Sequence, residues 1–308
     1  MTSEQKLPRY IDPGSLGKLS NLEMKARFLV EGLFSGLHKS PFRGFSVEFA
    51  EYRNYFLGDN LKHIDWRLYA RTDSLYIKLH EEETNLNVQI VLDASSSMHY
   101  KKGGSLSKFE YAAYLSVCLA FLCLKQQDSV GLTIYSEKVL KELPSSNRMS
   151  HMRIIANIIE ILEKQLTPKM KTGTSFALAS LAKRLRKRGL IILISDLLDE
   201  PDNILANLKH FKVRKNDVLV FQVLDPSELN FDFTGDYQFV DLESGEELVT
   251  DCEAVKIEYD RELKGFLNRY RKGLKESGID YFLYNTTIPL EISLMDYLYK
   301  RKTLKVVG

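Results

Sequence analysis

The stretch that decides the fold is NVQIVLDASSSM, Asn87 to Met98. Its first half alternates and then runs nearly continuously apolar through Val88, Ile90, Val91 and Leu92, the pattern of a strand buried inside a sheet. Its second half is an aspartate, a small residue and three serines. A strand this apolar that ends in a carboxylate and a row of hydroxyls sets oxygen donors at the place where open parallel sheets gather their ligands.

Working outward, strand and helix signals alternate. SKFEYAAYLSVCLAFLCLKQQ reads as a helix that opens at Ser107, with Glu110 as its capping-box partner. SVGLTIYS is a strand, SHMRIIANIIEILEKQ a helix, and SFALASLAKRLRKR a helix closed by Gly189. GLIILISDL, DVLVFQVLD and DYFLYNT are further strands, separated by PDNILANLKHF and by a long helix ending near Gly278; YQFVDLESGEELVTD is a hairpin turning at Ser244-Gly245. LEISLMDYLYKRK closes the chain as a helix. This alternation predicts an α/β fold, a doubly wound and mostly parallel sheet covered on both faces. Ahead of it, LEMKARFLVEGLFSGL reads as a helix, and residues 43–83, rich in Phe, Tyr, Val and Ile, as two or three strands or extended segments. The predicted division is an N-terminal segment, 1–85, and a main domain, 86–308.

Composition narrows the function. The 308 residues carry 43 basic and 41 acidic side chains, a net charge of +2, so nothing points to nucleic acid or an anionic membrane as partner. The most apolar helix candidate, Tyr111 to Leu124, is shorter than the roughly 20 residues that cross a bilayer. The opening MTSEQKLPRYIDP has no apolar core of a secretory signal. Cys118, Cys123 and Cys252 make neither a metal-ligand spacing nor a disulfide framework, and the expected compartment is the reducing cytoplasm.

Three segments bring oxygen donors to the predicted sheet edge: Asp93, Ser95 and Ser97 after the first main-domain strand, Thr174 in TGTSFALA, and Asp196 at the end of GLIILISD. Two carboxylates and three hydroxyls are hard ligands, suited to Mg²⁺ or Mn²⁺ rather than to a soft metal. In an extended turn the residues at i, i+2 and i+4 point the same way, which groups Asp93, Ser95 and Ser97.

D-x-S-x-S at a strand end, then Gly-Thr, then a strand-terminal aspartate resembles the metal-ion-dependent adhesion site of von Willebrand factor type A domains. In this sequence SDLLD stands in place of the commoner threonine-aspartate-glycine ending. The upstream GFSVEFAEYRNYFLGDNLKHIDWRLYART is similar to the signature of the family called domain of unknown function 58, through Glu48, Phe49, Arg53, Tyr55, Gly58, Asp59, Ile64, Asp65, Trp66, Ala70 and Arg71. The resemblance implies a non-enzymatic, metal-dependent protein-interaction module. It also implies a MoxR-type AAA+ ATPase as partner or neighbour, and a role in assembly or maturation of client proteins that offer an acidic side chain.

Blander readings stand beside these. Serines after a strand often cap the next helix. His99 lies too close to Ser97 in the chain to serve as its base, and no G-x-S-x-G elbow is present. KKGGSLSK, Lys101 to Lys108, lacks a phosphate-loop ending and reads as a flexible loop beside the metal rim. KRLRKR sits in the last turns of a helix as a solvated face. Trp66 is a packing anchor or, with Arg53, Asp59, Asp65 and Arg71, part of a second contact surface; Asp225 is a turn residue before Pro226 or a neighbour of the metal ligands. The alternative function is a structural adaptor with a vestigial metal site, binding through residues 43–85.

Overall fold

The computed structural model describes residues 21–37, 52–55, 64, 66–78, 86–165, 171–185 and 188–306. The chain divides into two compact units, Ser35–Asn85 and the remainder. The larger unit holds α1 (Leu22–Leu37) as far as Phe34, and Leu22, Ala26, Leu29 and Val30 of that helix are buried. This differs from the expected grouping of that helix with the segment after it. Its polar contacts explain why: Leu22 N–H donates to Glu160 Oε1 at 2.6 Å and Lys25 Nζ to the Tyr114 hydroxyl at 2.9 Å, both in the larger unit.

The smaller unit holds β1 (Tyr52–Asn54), α2 (Trp66–Thr72) and β2 (Tyr76–Lys78), the two strands antiparallel with Arg53 opposite Ile77. Among the described residues of the segment read as two or three strands, or extended segments, there are two short strands and a helix. WRLYART is built largely from good helix formers, and the helix stops where Asp73 turns left-handed at φ 53°.

The main fold then runs β3 (Asn87–Asp93), a 3₁₀ turn over Ser96–His99, α3 (Lys108–Lys125), β4 (Ser129–Tyr135), β5 (Val139–Ser146), α4 (His151–Gln165), α5 (Thr174–Arg184), β6 (Leu190–Ser195), α6 (Pro201–Val213), β7 (Asp217–Leu224), α7 (Pro226–Asn230), β8 (Asp236–Val240), β9 (Glu247–Asp251), α8 (Cys252–Glu276), β10 (Asp280–Asn285) and α9 (Leu290–Val306). Six strands form one sheet in the order β10-β7-β6-β3-β4-β5, parallel throughout except for β5. The α/β class is as expected. β5 escaped the sequence reading because VLKELPSS is an edge strand, half exposed, irregular in register and interrupted by Pro144. α5 ends at Arg184 with Lys183 and Arg184 in its last turn; residues 186–187 of the basic run lie outside the described residues.

One face of the sheet packs Val91, Ile191, Leu193, Val218 and Val220 against Ala177, Leu178, Leu181, Ile204, Leu208, Phe211, Tyr270 and Leu274 from α5, α6 and α8. The other face meets α3, nearly every residue of which is buried, as a helix that is apolar all round must be. Its start follows the sequence: Ser107 Oγ accepts from Glu110 N–H and Glu110 reaches back to Ser107 N–H. From β3 the chain moves to β4 on one side and later returns to β6 on the other. The gap between the ends of β3 and β6 is therefore a topological switch point, where a ligand finds a crevice between diverging connections.

Candidate functional site

Register places the first side chains. β3 pairs with β4 so that Asp93 lies beside Tyr135, and with β6 so that Leu92 lies beside Ile194. Asp93 is thus set against Ser195, with Asp196 the next residue. Asp93, Ser95, Thr174, Ser195 and Asp196 have no solvent exposure.

Their hydrogen bonds draw the loops together. Asp93 Oδ1 accepts from Ser95 N–H at 2.9 Å, and Oδ2 accepts from the hydroxyls of Ser195 at 2.6 Å and Tyr135 at 3.1 Å. The Tyr135 hydroxyl also shares a hydrogen bond with Thr174 Oγ1 at 3.0 Å, linking the start of α5 to the end of β3. Ser95 Oγ and Ser97 Oγ are 3.1 Å apart. Thr174 reaches this position because Gly173 threads past the β4–β5 turn: a Cβ there would lie 2.6 Å from the Glu137 carbonyl oxygen and 2.8 Å from that of Ser136.

Asp196 is held differently. Its Oδ1 accepts from Leu198 N–H at 3.2 Å, while Oδ2 takes the Lys108 ammonium at 2.8 Å. Leu197, where the adhesion-site pattern has glycine, adopts the left-handed conformation that glycine takes freely, φ 59°. Its buried side chain, the Ser195 hydroxyl on its N–H and the Tyr270 hydroxyl on its carbonyl keep the turn in place.

A polar chain continues along the sheet edge. Lys108 Nζ also donates to Glu228 Oε1 at 2.7 Å, and Glu228 Oε2 accepts from Asp225 N–H at 2.7 Å. Asp225 caps α7 through Ser227 N–H and accepts from the N–H groups of Lys102 at 3.0 Å and Gly103 at 2.8 Å. The glycine loop is thereby fixed to the β7 end rather than free; a Cβ on Gly103 would meet Asp225 Oδ1 at 2.9 Å. The Lys102 ammonium sits 3.5 Å from the Phe233 ring centre.

The electrostatics favour a cation. Burial first, and the neighbouring Asp196 second, push the Asp93 carboxyl up to about 7. Lys108 is the reverse case: burial alone would lower it, but Asp196 and Glu228 hold the ammonium well above its ordinary value. Asp93, Asp196 and the largely buried Glu228 set three carboxyl groups against one ammonium, an imbalance that a bound cation would offset by favouring the ionised form of Asp93. Both oxygens of Asp196 each accept a single hydrogen bond, so lone pairs remain there. Among the described residues no three His, Cys, Asp or Glu side chains gather as a metal cluster, so the donor set depends on hydroxyls. Such a set fits a hard ion.

Sequence reading missed Tyr135, Ser195, Lys108 and Glu228. Ser195 and Tyr135 end strands at the same edge, and Glu228 completes a D-P-S-E capping box; those were the available signals. His99 stacks on Phe109, ring centres 5.3 Å apart, instead of serving Ser97. Of the proposed second surface, Asp59 and Asp65 lie outside the described residues. Arg53 is on β1 and Arg71 is exposed in the last turn of α2. Trp66 is 60% exposed, edge-on to Tyr69, which does not suit a packing anchor.

A family model described as Protein of unknown function DUF58 matches residues 51–265. Uncharacterized proteins of Mycobacterium bovis and Mycobacterium tuberculosis are 26% identical over 234 residues, covering 76% of this chain and 73% of theirs. Among solved structures, the conserved hypothetical protein BatB from Bacteroides thetaiotaomicron has a TM-score of 0.48 at 16% identity, over 71% of this chain and 99% of its own. An aerotolerance-related membrane protein from Bacteroides fragilis has a TM-score of 0.48 at 19% identity, over 70% and 99%. The SpRpn10 VWA domain has a TM-score of 0.39 at 12% identity, over 70% and 95%. All three structural likenesses are distant.

Proposed function

We propose that this chain, which belongs to the family described as Protein of unknown function DUF58, is a non-enzymatic protein-interaction module whose contact point is a divalent cation. Asp93, Ser95, Ser97, Thr174 and Asp196 would hold the ion, Mg²⁺ or Mn²⁺. The observation that carries the reading is the gathering of three carboxyl groups, Asp93, Asp196 and Glu228, around the single Lys108 ammonium at the switch point between β3 and β6. Once bound, the ion supplies an electrophilic centre for a carboxylate of the partner. The chain's own part is to present that centre: Ser195 and Tyr135 fix Asp93, Lys108 fixes Asp196, and the rest of the edge is tied down by Asp225. By the resemblance of its signature, the partner is a MoxR-type AAA+ ATPase, with client proteins matured or assembled by the pair. A cytoplasmic place of action belongs to the same proposal; no helix among the described residues is long and apolar enough to cross a membrane.

The test is capture of the MoxR-type ATPase of the same organism by the tagged full chain. Capture in magnesium, lost in chelator and with Asp93→Ala, is expected; capture indifferent to both rejects the metal-bridged contact. A second reading, an adaptor that binds through residues 43–85, is favoured by the exposure of Trp66. It requires that Trp66→Ala abolish capture while Asp93→Ala leaves it intact.

A further inference from the structure

Lys108 is in the wrong place for a helix. It occupies the first turn of α3, where a cation opposes the dipole, and it has no solvent exposure. Capping does not require it, since Ser107 and Glu110 complete the box. Its reason lies across the sheet edge, in Asp196 Oδ2 at 2.8 Å and Glu228 Oε1 at 2.7 Å. Buried lysines of this kind persist only when paired, because an isolated ammonium is too costly to desolvate.

We infer that the Lys108 ammonium is a built-in counter-ion of the strand-edge site, one that stays beside the divalent ion and sets how weakly it is held. The inference rests on the cation reading above and adds the residue that tunes it. Asp196 offers its two oxygens separately: Oδ2 is engaged by Lys108, while Oδ1 accepts only a 3.2 Å bond from Leu198 N–H. Asp196 would then serve both the ammonium and a divalent ion, and the two like charges would repel each other. With Lys108 in place the edge keeps part of its charge compensated when the ion leaves, so ion exchange does not require unfolding.

Charge counting gives the direction of each change. Lys108 is the one ammonium paired with Asp196 and Glu228. Lys108→Met removes that positive charge and takes away the repulsion. Glu228→Gln removes one negative charge; it keeps every proposed ligand and Lys108, and glutamine serves equally at that capping-box position.

Mn²⁺ is the probe, with free ion read by electron paramagnetic resonance in titrations of the full chain. Lys108→Met is expected to tighten Mn²⁺ by about tenfold or more, and to lower the melting temperature in chelator but not in millimolar Mn²⁺. Glu228→Gln is expected to weaken Mn²⁺ by about threefold or more. Unchanged or weaker binding in Lys108→Met overturns the inference and leaves the cation site standing. Should Lys108→Met fail to fold, Glu228→Gln decides alone, and unchanged or tighter binding overturns it. A wild-type chain that takes up no Mn²⁺ removes the cation reading and this inference together.

Discussion

Asp93 and Asp225 each follow or end a parallel strand at the same edge of one sheet, and neither is exposed. Asp225 spends its carboxylate on three backbone N–H groups and the Ser227 hydroxyl, which cap α7 and fasten the glycine loop. Asp93 receives one N–H and two hydroxyls, and faces Asp196 across the switch point. Burial acts on both in the same sense. The donors decide the outcome: Asp225 is held below the ordinary carboxylate range, and Asp93 is pushed up to about 7. A strand-end aspartate saturated by backbone amides is a structural brace, whereas one with a single amide and a second carboxylate beside it is the kind the proposed cation would use.

Breaking the brace should have the largest effect. Asp225→Ala leaves the Lys102 and Gly103 N–H groups without their acceptor and uncaps α7, a loss of about 3 kcal/mol by chemical denaturation. If Asp93→Ala in chelator costs as much as Asp225→Ala, the distinction between brace and reserve fails. Next in size is the glycine on the Asp93 side. Gly173→Ala forces a Cβ against two backbone carbonyls of the β4–β5 turn, and about 2 kcal/mol of stability should be lost. Because Thr174 follows directly, Mn²⁺ affinity should fall in the same variant; stability lost without any change in affinity would detach Thr174 from the ligand set.

How far this contrast was legible beforehand follows from distance along the chain. Asp93, Ser95 and Ser97 are consecutive enough, after a strand apolar enough, to be read as one cluster. Thr174 and Asp196 were found only by their order along the chain, since strand order is not written in any local pattern. Tyr135 and Ser195 depend on β4 and β6 flanking β3 in a particular register. Lys108 depends on an ion pair across 88 positions of sequence, and it sat unnoticed at the end of a loop read for its glycines. Asp225 was seen as a turn residue, which it is, but its hold on Lys102 and Gly103 spans more than a hundred residues. In the smaller unit, elements of a few residues lack the length to show a period, and a helix there was taken for strand.

Smaller effects sharpen the contrast through pH, where the two aspartates carry opposite signs. The Asp93 carboxyl is raised in the folded chain, so its contribution is full below about pH 4 and is lost as pH climbs through about 7. In chelator at pH 8, Asp93→Asn should therefore be more stable than the wild type, by about 1 kcal/mol, with the gap closing toward pH 4. The Asp225 carboxyl is lowered: burial works against ionisation, but the Ser227 hydroxyl and the amides of Lys102, Ser227 and Gly103 outweigh it. Its contribution is present above about pH 4 and is lost as pH falls through the lowered value. Asp225→Asn should accordingly flatten the acid limb of the melting curve by only a few tenths of a kcal/mol. It should leave the Asp93 contribution to the limb between pH 5 and 8 as in the wild type. A single pH scan of both variants in chelator thus separates the two carboxylates, and parallel shifts in both limbs would mean that the edge titrates as one unit.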